Sequence, residues 1–155
     1  MRKLKCHSGF TLIELVMVIV LLGVLAVFVA PRINTADFDA RGFHDETLAF
    51  LRYAQKTAIA QRRTVCVVFT LNSATLSVVA APGNTACPGG ALAGPGGRNP
   101  IVPRSAGVAY QAQPANLFFD SLGQPSVPQV IQVASGGVAI PQTITVQAGT
   151  GYVHE

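Results

Sequence analysis

Charge is scarce in this sequence: only 12% of its 155 residues are Asp, Glu, Lys or Arg, and half are hydrophobic. The formal net charge of +4 owes much to Arg2, Lys3 and Lys5; beyond the first nine positions eight basic residues face seven acidic ones. A near-neutral chain excludes a dominant electrostatic attraction to nucleic acid. Catalytic patterns are missing too. His7, His44 and His154 stand apart from one another and read as surface residues, no Cys/His spacing suits a metal, and no Ser/His/Asp arrangement is present. Gly94–Gly97 reads G-P-G-G without the Lys-Ser/Thr of a phosphate-binding loop. Asp120, in F-F-D-S-L-G-Q, reads as a turn former before Gly123. No enzyme, cofactor or metal is expected. Tryptophan is absent and no internal repeat is evident, while many of the 15 glycines and 10 prolines follow Ala81, so the second half should be strands and loops.

What the sequence does have is one long apolar run. Phe10–Ala30 is 21 residues with a single charge, Glu14, and as a helix it reaches roughly 30 Å, the thickness of a bilayer core. Basic residues precede it and Asp37, Asp39, Asp45 and Glu46 follow it, which orients the first residues to the cytoplasm and exports the rest. Three readings compete. A secretory signal has a shorter apolar core and a small-residue cleavage site, and Pro31 directly after Ala30 is a poor place to cut. A plain single-span anchor needs only the apolar run. Neither accounts for Glu14, a carboxylate that costs about 2.5–3.5 kcal/mol at the centre of a membrane and less near its edge.

Gly9–Leu15, G-F-T-L-I-E-L, resembles the prepilin peptidase motif of type IV pilins and type II secretion pseudopilins. The resemblance implies a leader 1–9 removed between Gly9 and Phe10, N-methylation of Phe10, and a role in assembly for Glu14, the fifth residue after the cut. A transmembrane and assembly helix then covers 10–30, Pro31 kinks it, an amphipathic continuation covers 31–63, and a β-rich globular domain fills 64–155. The implied fold class is α+β, type IV pilin-like: a long N-terminal helix with a membrane-spanning first half, packed on an antiparallel β-sheet domain. The implied partners are other pilins or pseudopilins through a helix bundle, the prepilin peptidase, an inner-membrane assembly platform and membrane lipid. The implied location is the inner membrane, single-pass, with a periplasmic domain that later enters a pilus or pseudopilus. Cys6 leaves with the leader. Cys66 and Cys87 remain in an oxidising compartment, where an even pair points to a disulfide; the alternative is one buried and one exposed thiol.

Downstream, Phe43, Thr47, Phe50, Leu51, Ala54 and Ala58 recur at helical spacing, and Arg52, Gln55, Lys56, Arg62 and Arg63 lie largely elsewhere. The basic members read as a solvated face rather than a nucleic-acid patch. A helix continuous from Phe10 to Arg63 would be about 80 Å long. Thr64–Leu71, the turn Asn72–Ala74 and Thr75–Ala81 read as a hairpin, with Cys66 on the more polar face. Residues 82–104 read as a flexible loop, and weaker strands are expected near 108–111, 117–120, 129–134, 142–147 and 151–154.

L-R-Y-A-Q-K-T-A-I-A-Q-R-R followed by V-C-V-V-F, then L-F-F-D-S-L-G-Q-P and I-T-V-Q-A-G-T-G-Y-V-H, resemble the GspH/FimT group. Within it they are most similar to minor pilins of MSHA pilus biogenesis. FimT-type members bind DNA through a basic C-terminal region, but this chain has no Lys or Arg after Arg104, which argues against a nucleic-acid partner. A GspH-type pseudopilin of type II secretion is the alternative.

Overall fold

The computed structural model describes residues 10–29, 35–81 and 83–155. The chain divides into two compact units with the boundary between residues 34 and 35. The first holds helix α1, Leu12–Val29. Pro31, the expected kink, lies outside the described residues, as does the junction through which one continuous helix would run.

The second unit begins with α2, Thr35–Gln61, and continues through β1 Val65–Phe69, β2 Ala74–Val78, β3 Gly90–Ala91, β4 Val108–Tyr110, β5 Leu117–Phe119, β6 Gln129–Ser135, β7 Val138–Val146 and β8 Val153–His154. The strands form two antiparallel four-stranded sheets, ordered β3-β2-β1-β5 and β4-β6-β7-β8. All six residues of the helical-spacing face are buried, and Ala40, His44, Leu48 and Thr57 widen the stripe. The stripe is wide because α2 packs on both sheets at once, and a helix in such a groove buries more than the width of one facing surface. His44 is therefore not the surface residue its isolation in sequence implied: it is 1% exposed.

Tyr110 sits where the three layers meet. Its ring centroid is 5.0 Å from that of Phe43 in α2 and 5.6 Å from that of Phe69 in the first sheet, the latter contact edge-on. The Thr47 hydroxyl donates to the Phe43 carbonyl at 2.8 Å, which leaves the Tyr110 hydroxyl to donate to Thr47 at 3.1 Å. Burial pushes the Tyr110 hydroxyl well above its ordinary value of 10.0; the Thr47 hydrogen bond opposes that rise and the nearby Glu46 carboxylate adds to it. A group whose proton is held more tightly in the folded state stabilises fully below its unfolded pKa and loses that contribution as pH rises beyond it. Stability should thus fall from about pH 10 upward, and Tyr110→Phe should flatten that fall. Thermal melts of both proteins across the alkaline range check this; parallel curves would contradict it.

The hairpin β1–β2 pairs Val65 with Val78 through Phe69 with Ala74. Cys66 is buried rather than polar-facing, because the chain after β2 folds back over it and Cys66 is bonded to Cys87, with the Cα atoms 6.0 Å apart. Of the expected loop 82–104, the described residues 83–104 are tied down more than a flexible connection would be. The Asn99 side chain accepts from the Leu76 N–H at 2.9 Å and donates to the Leu76 and Leu92 carbonyls, each at 2.7 Å. Arg98 pairs with Glu46 of α2 at 2.5 Å, and Ser105 donates to Asp39.

Candidate processing and assembly site

Thr11-x-x-Glu14 has the spacing of a helix capping box, a signal that overlaps the peptidase motif in the same residues. The Glu14 N–H donates to the Thr11 hydroxyl oxygen at 3.4 Å and to the Thr11 carbonyl at 3.1 Å, while the Leu15 N–H reaches the same carbonyl at 3.2 Å. Thr11 thus opens α1 and Glu14 lies in its first turn, where the positive end of the helix favours a carboxylate. Every other residue of α1 is uncharged. Phe10, Leu12, Ile13 and the apolar side chains through Leu25 are exposed on all sides of the helix, Phe10 at 77%. A helix apolar all round belongs in lipid or in a protein core rather than in water. Among the described residues no helix is long and apolar enough to cross a membrane. As described, α1 has 18 residues, about 27 Å of helix against a hydrocarbon core of about 30 Å; the sequence run continues through Ala30, outside the described residues. Gly9, on the leader side of the expected cut, also lies outside them.

In the second unit, residues distant in sequence meet over α2. Asp120 Oδ1 accepts from the Leu122 and Gln124 N–H groups at 2.9 and 2.8 Å, closing the turn expected before Gly123. The Gln55 side chain donates to the Gly123 carbonyl at 3.2 Å and to the Thr150 carbonyl at 2.9 Å. Arg52, read as part of a solvated basic face, donates to the Val153 carbonyl at 2.9 Å. Two side chains of α2 therefore clamp the segments that close the domain.

The fold also gathers His44, Asp45 and Glu155, whose candidate metal-ligand atoms lie within 4.8 Å of one another. His44 Nδ1 is 3.1 Å from Asp45 Oδ1 and 4.0 Å from Glu155 Oε1, and His44 Nε2 is buried without a partner. Sequence spacing gave no signal for this group, since Glu155 reaches it only through the pairing of β8 with β7.

The family described as "Prokaryotic N-terminal methylation motif" matches residues 4–30. No curated protein matches the chain. Among solved structures, the type IV minor pilin FimU of Pseudomonas aeruginosa strain PAO1 is similar, with a TM-score of 0.51 and 15% sequence identity, over 78% of this chain and 87% of that one. At that identity the likeness concerns the fold: an N-terminal helix packed against antiparallel sheets. The chain thus carries the prokaryotic N-terminal methylation motif ahead of a domain with the type IV pilin fold.

Proposed function

We propose that the chain is a minor pilin-like subunit of a type IV pilus or of a pilus-initiating complex, similar in its motifs to the MSHA pilus biogenesis protein MshC. Prepilin peptidase cuts between Gly9 and Phe10, Phe10 is N-methylated, and the run Phe10–Ala30 holds the subunit in the inner membrane, with the domain in the periplasm, until it joins a filament. The observation that carries this reading is the α1 helix: apolar on every side, with its one carboxylate in the first turn, inside the segment that matches the methylation motif. A helix of that kind needs an apolar surrounding at every stage, first lipid and then a bundle of like helices.

A GspH-type pseudopilin would be processed in the same way and differ only in what assembles around it. DNA capture of the FimT type is disfavoured, because no Lys or Arg follows Arg104 and the cations of α2 are partly engaged, Arg52 at the Val153 carbonyl. Mass spectrometry of the exported protein tests the proposal. The expected N-terminus is N-methylated Phe10. A chain that retains Met1, or one that begins at Pro31, would refute it. Gly9→Leu should leave the precursor uncut, since the peptidase must approach the backbone closely there.

A further inference from the structure

We propose that His44, Asp45 and Glu155 form a site for a divalent transition cation of the Zn²⁺ class, which fastens the closing strand β8 to α2. The candidate ligand atoms of the three residues lie within 4.8 Å of one another. His44 Nδ1 is 3.1 Å from Asp45 Oδ1 and 4.0 Å from Glu155 Oε1. The His44 side chain is 1% exposed, whereas those of Asp45 and Glu155 are 73% and 55% exposed. The imidazole is therefore held by the core, and two carboxylates reach it from the solvent side. Among the described residues the ring has no polar partner outside this trio, since Nε2 is buried and unpaired. Buried polar groups are ordinarily hydrogen-bonded; this ring turns its one engaged nitrogen into a pair of carboxylates instead. The scaffold fixes both sides. His44 and Asp45 are consecutive on α2. Glu155 is delivered by β8, where Val153 pairs with Val146 and His154 with Thr145. Arg52 of α2 holds that strand through the Val153 carbonyl at 2.9 Å, and His154 Nδ1 lies 2.6 Å from the Glu155 carbonyl oxygen.

Charge and donor type select the occupant. Among the described residues no Lys or Arg lies within ion-pair distance of Asp45 or Glu155. Two carboxylates drawn to one place repel unless a cation lies between them, and a divalent ion balances both. Ca²⁺ takes six to eight oxygen ligands and Mg²⁺ a near-octahedral oxygen shell, which two carboxylates and a nitrogen do not supply. A mixed imidazole and carboxylate set suits Zn²⁺, with three protein ligands and water in the fourth position. In a tetrahedral site with bonds of about 2.1 Å, ligand atoms stand about 3.4 Å apart. The Asp45 contact is already close to that, and the exposed carboxylates close the remaining gap, about an ångström, by rotating their side chains. A ring metallated at Nδ1 carries its proton on Nε2, which here lacks the acceptor that usually orients a ligating histidine. That shortfall lowers affinity, so binding is expected to be roughly micromolar. The consequence is mechanical. β8 has only two paired residues at the edge of its sheet, and the cation adds a second tie to α2 beside Arg52.

The test uses the untagged full-length chain in non-ionic detergent, stripped with a chelator. It carries Cys6→Ser and His7→Gln, which remove the two leader side chains able to take zinc themselves. ZnCl₂ at about a hundredfold excess over its Kd should raise the melting temperature by about 5–10 °C, and MgCl₂ or CaCl₂ should not. Asp45→Asn and Glu155→Gln replace exposed side chains, so each should melt like the parent in chelator. Each should also bind Zn²⁺ at least tenfold more weakly by calorimetry and lose most of the zinc-dependent shift. The proposal is overturned if ZnCl₂ leaves the melting temperature unchanged, or if either variant binds Zn²⁺ as the parent does. An equal shift with Mg²⁺ or Ca²⁺ also overturns it, since carboxylates alone would then account for the binding.

Discussion

Glu14→Ala should lower entry of the subunit into filaments by about a hundredfold to a few thousandfold, the consequence of leaving a charge unpaired in an apolar surround at a cost of about 3–5 kcal/mol. Cleavage after Gly9 would free a cationic amine on Phe10, four residues before the single carboxylate of α1. In a bundle of helices that are apolar all round, an amine on one subunit has few possible partners, and Glu14 of a neighbour supplies one. The carboxylate also occupies the first turn of a helix opened by Thr11, so alanine could act by fraying α1 instead. Glu14→Gln separates the two effects, because glutamine serves the capping position almost as well as glutamate but carries no charge. Both variants should be processed normally and both should fail to assemble. Filaments that contain the Gln variant at the wild-type level would end the pairing idea.

Gly151→Ala should destabilise the domain by about 3 kcal/mol, combining left-handed backbone strain of about 1–2 kcal/mol with the loss of at least one hydrogen bond. Gly151 has φ of 65°, and a Cβ there would meet the Gly123 carbonyl oxygen and lie 2.9 Å from the Gln55 amide nitrogen. Gly123 is itself held with φ of 82° against Ile59, so the carbonyl cannot retreat without moving the turn off α2. The comparison is Gly149→Ala. Gly149 has φ of 75°, yet nothing lies within 4 Å of a Cβ built on it, so that change carries strain alone, about 1–2 kcal/mol. Denaturant melts of the two variants measure the difference, and equal losses would mean that the close approach of Gly151 to Gly123 is unimportant.

These two sites differ in how far they could be read from sequence. Gly9–Leu15 is local: a short motif, a basic leader and an apolar run occupy consecutive positions, so inspection finds them. The buried stripe of α2 was also legible, because helical spacing repeats every few residues and six periodic positions overdetermine one face. The hairpin β1–β2 followed from strand composition on either side of a turn, where the Thr70 N–H donates to the Ser73 carbonyl at 2.9 Å. Local signals did not find the clamp. Gln55 is an ordinary polar residue on a helix, and Gly123 and Gly151 are two glycines among many; only the packed structure puts them in contact. His44 and Cys66 were misplaced for a related reason. Isolation in sequence puts His44 at the surface and strand alternation puts Cys66 on a polar face, whereas burial depends on distant chain folding over them, β8 near His44 and the segment bearing Cys87 over β1.

By itself the sequence determined the apolar all-round helix with its one carboxylate, the amphipathic helix that follows, and an α+β plan with a strand-rich second half. Each of these rests on periodicity or on adjacent residues, and such order survives in one dimension. Only the tertiary structure decided that the strands divide into two sheets, that Tyr110 joins them to α2, and that the loop after β2 is pinned by Cys87 and Asn99. Those outcomes depend on which distant segments pair and in what register. Strand pairing is chosen by the burial of whole faces together, a quantity no short stretch of sequence contains.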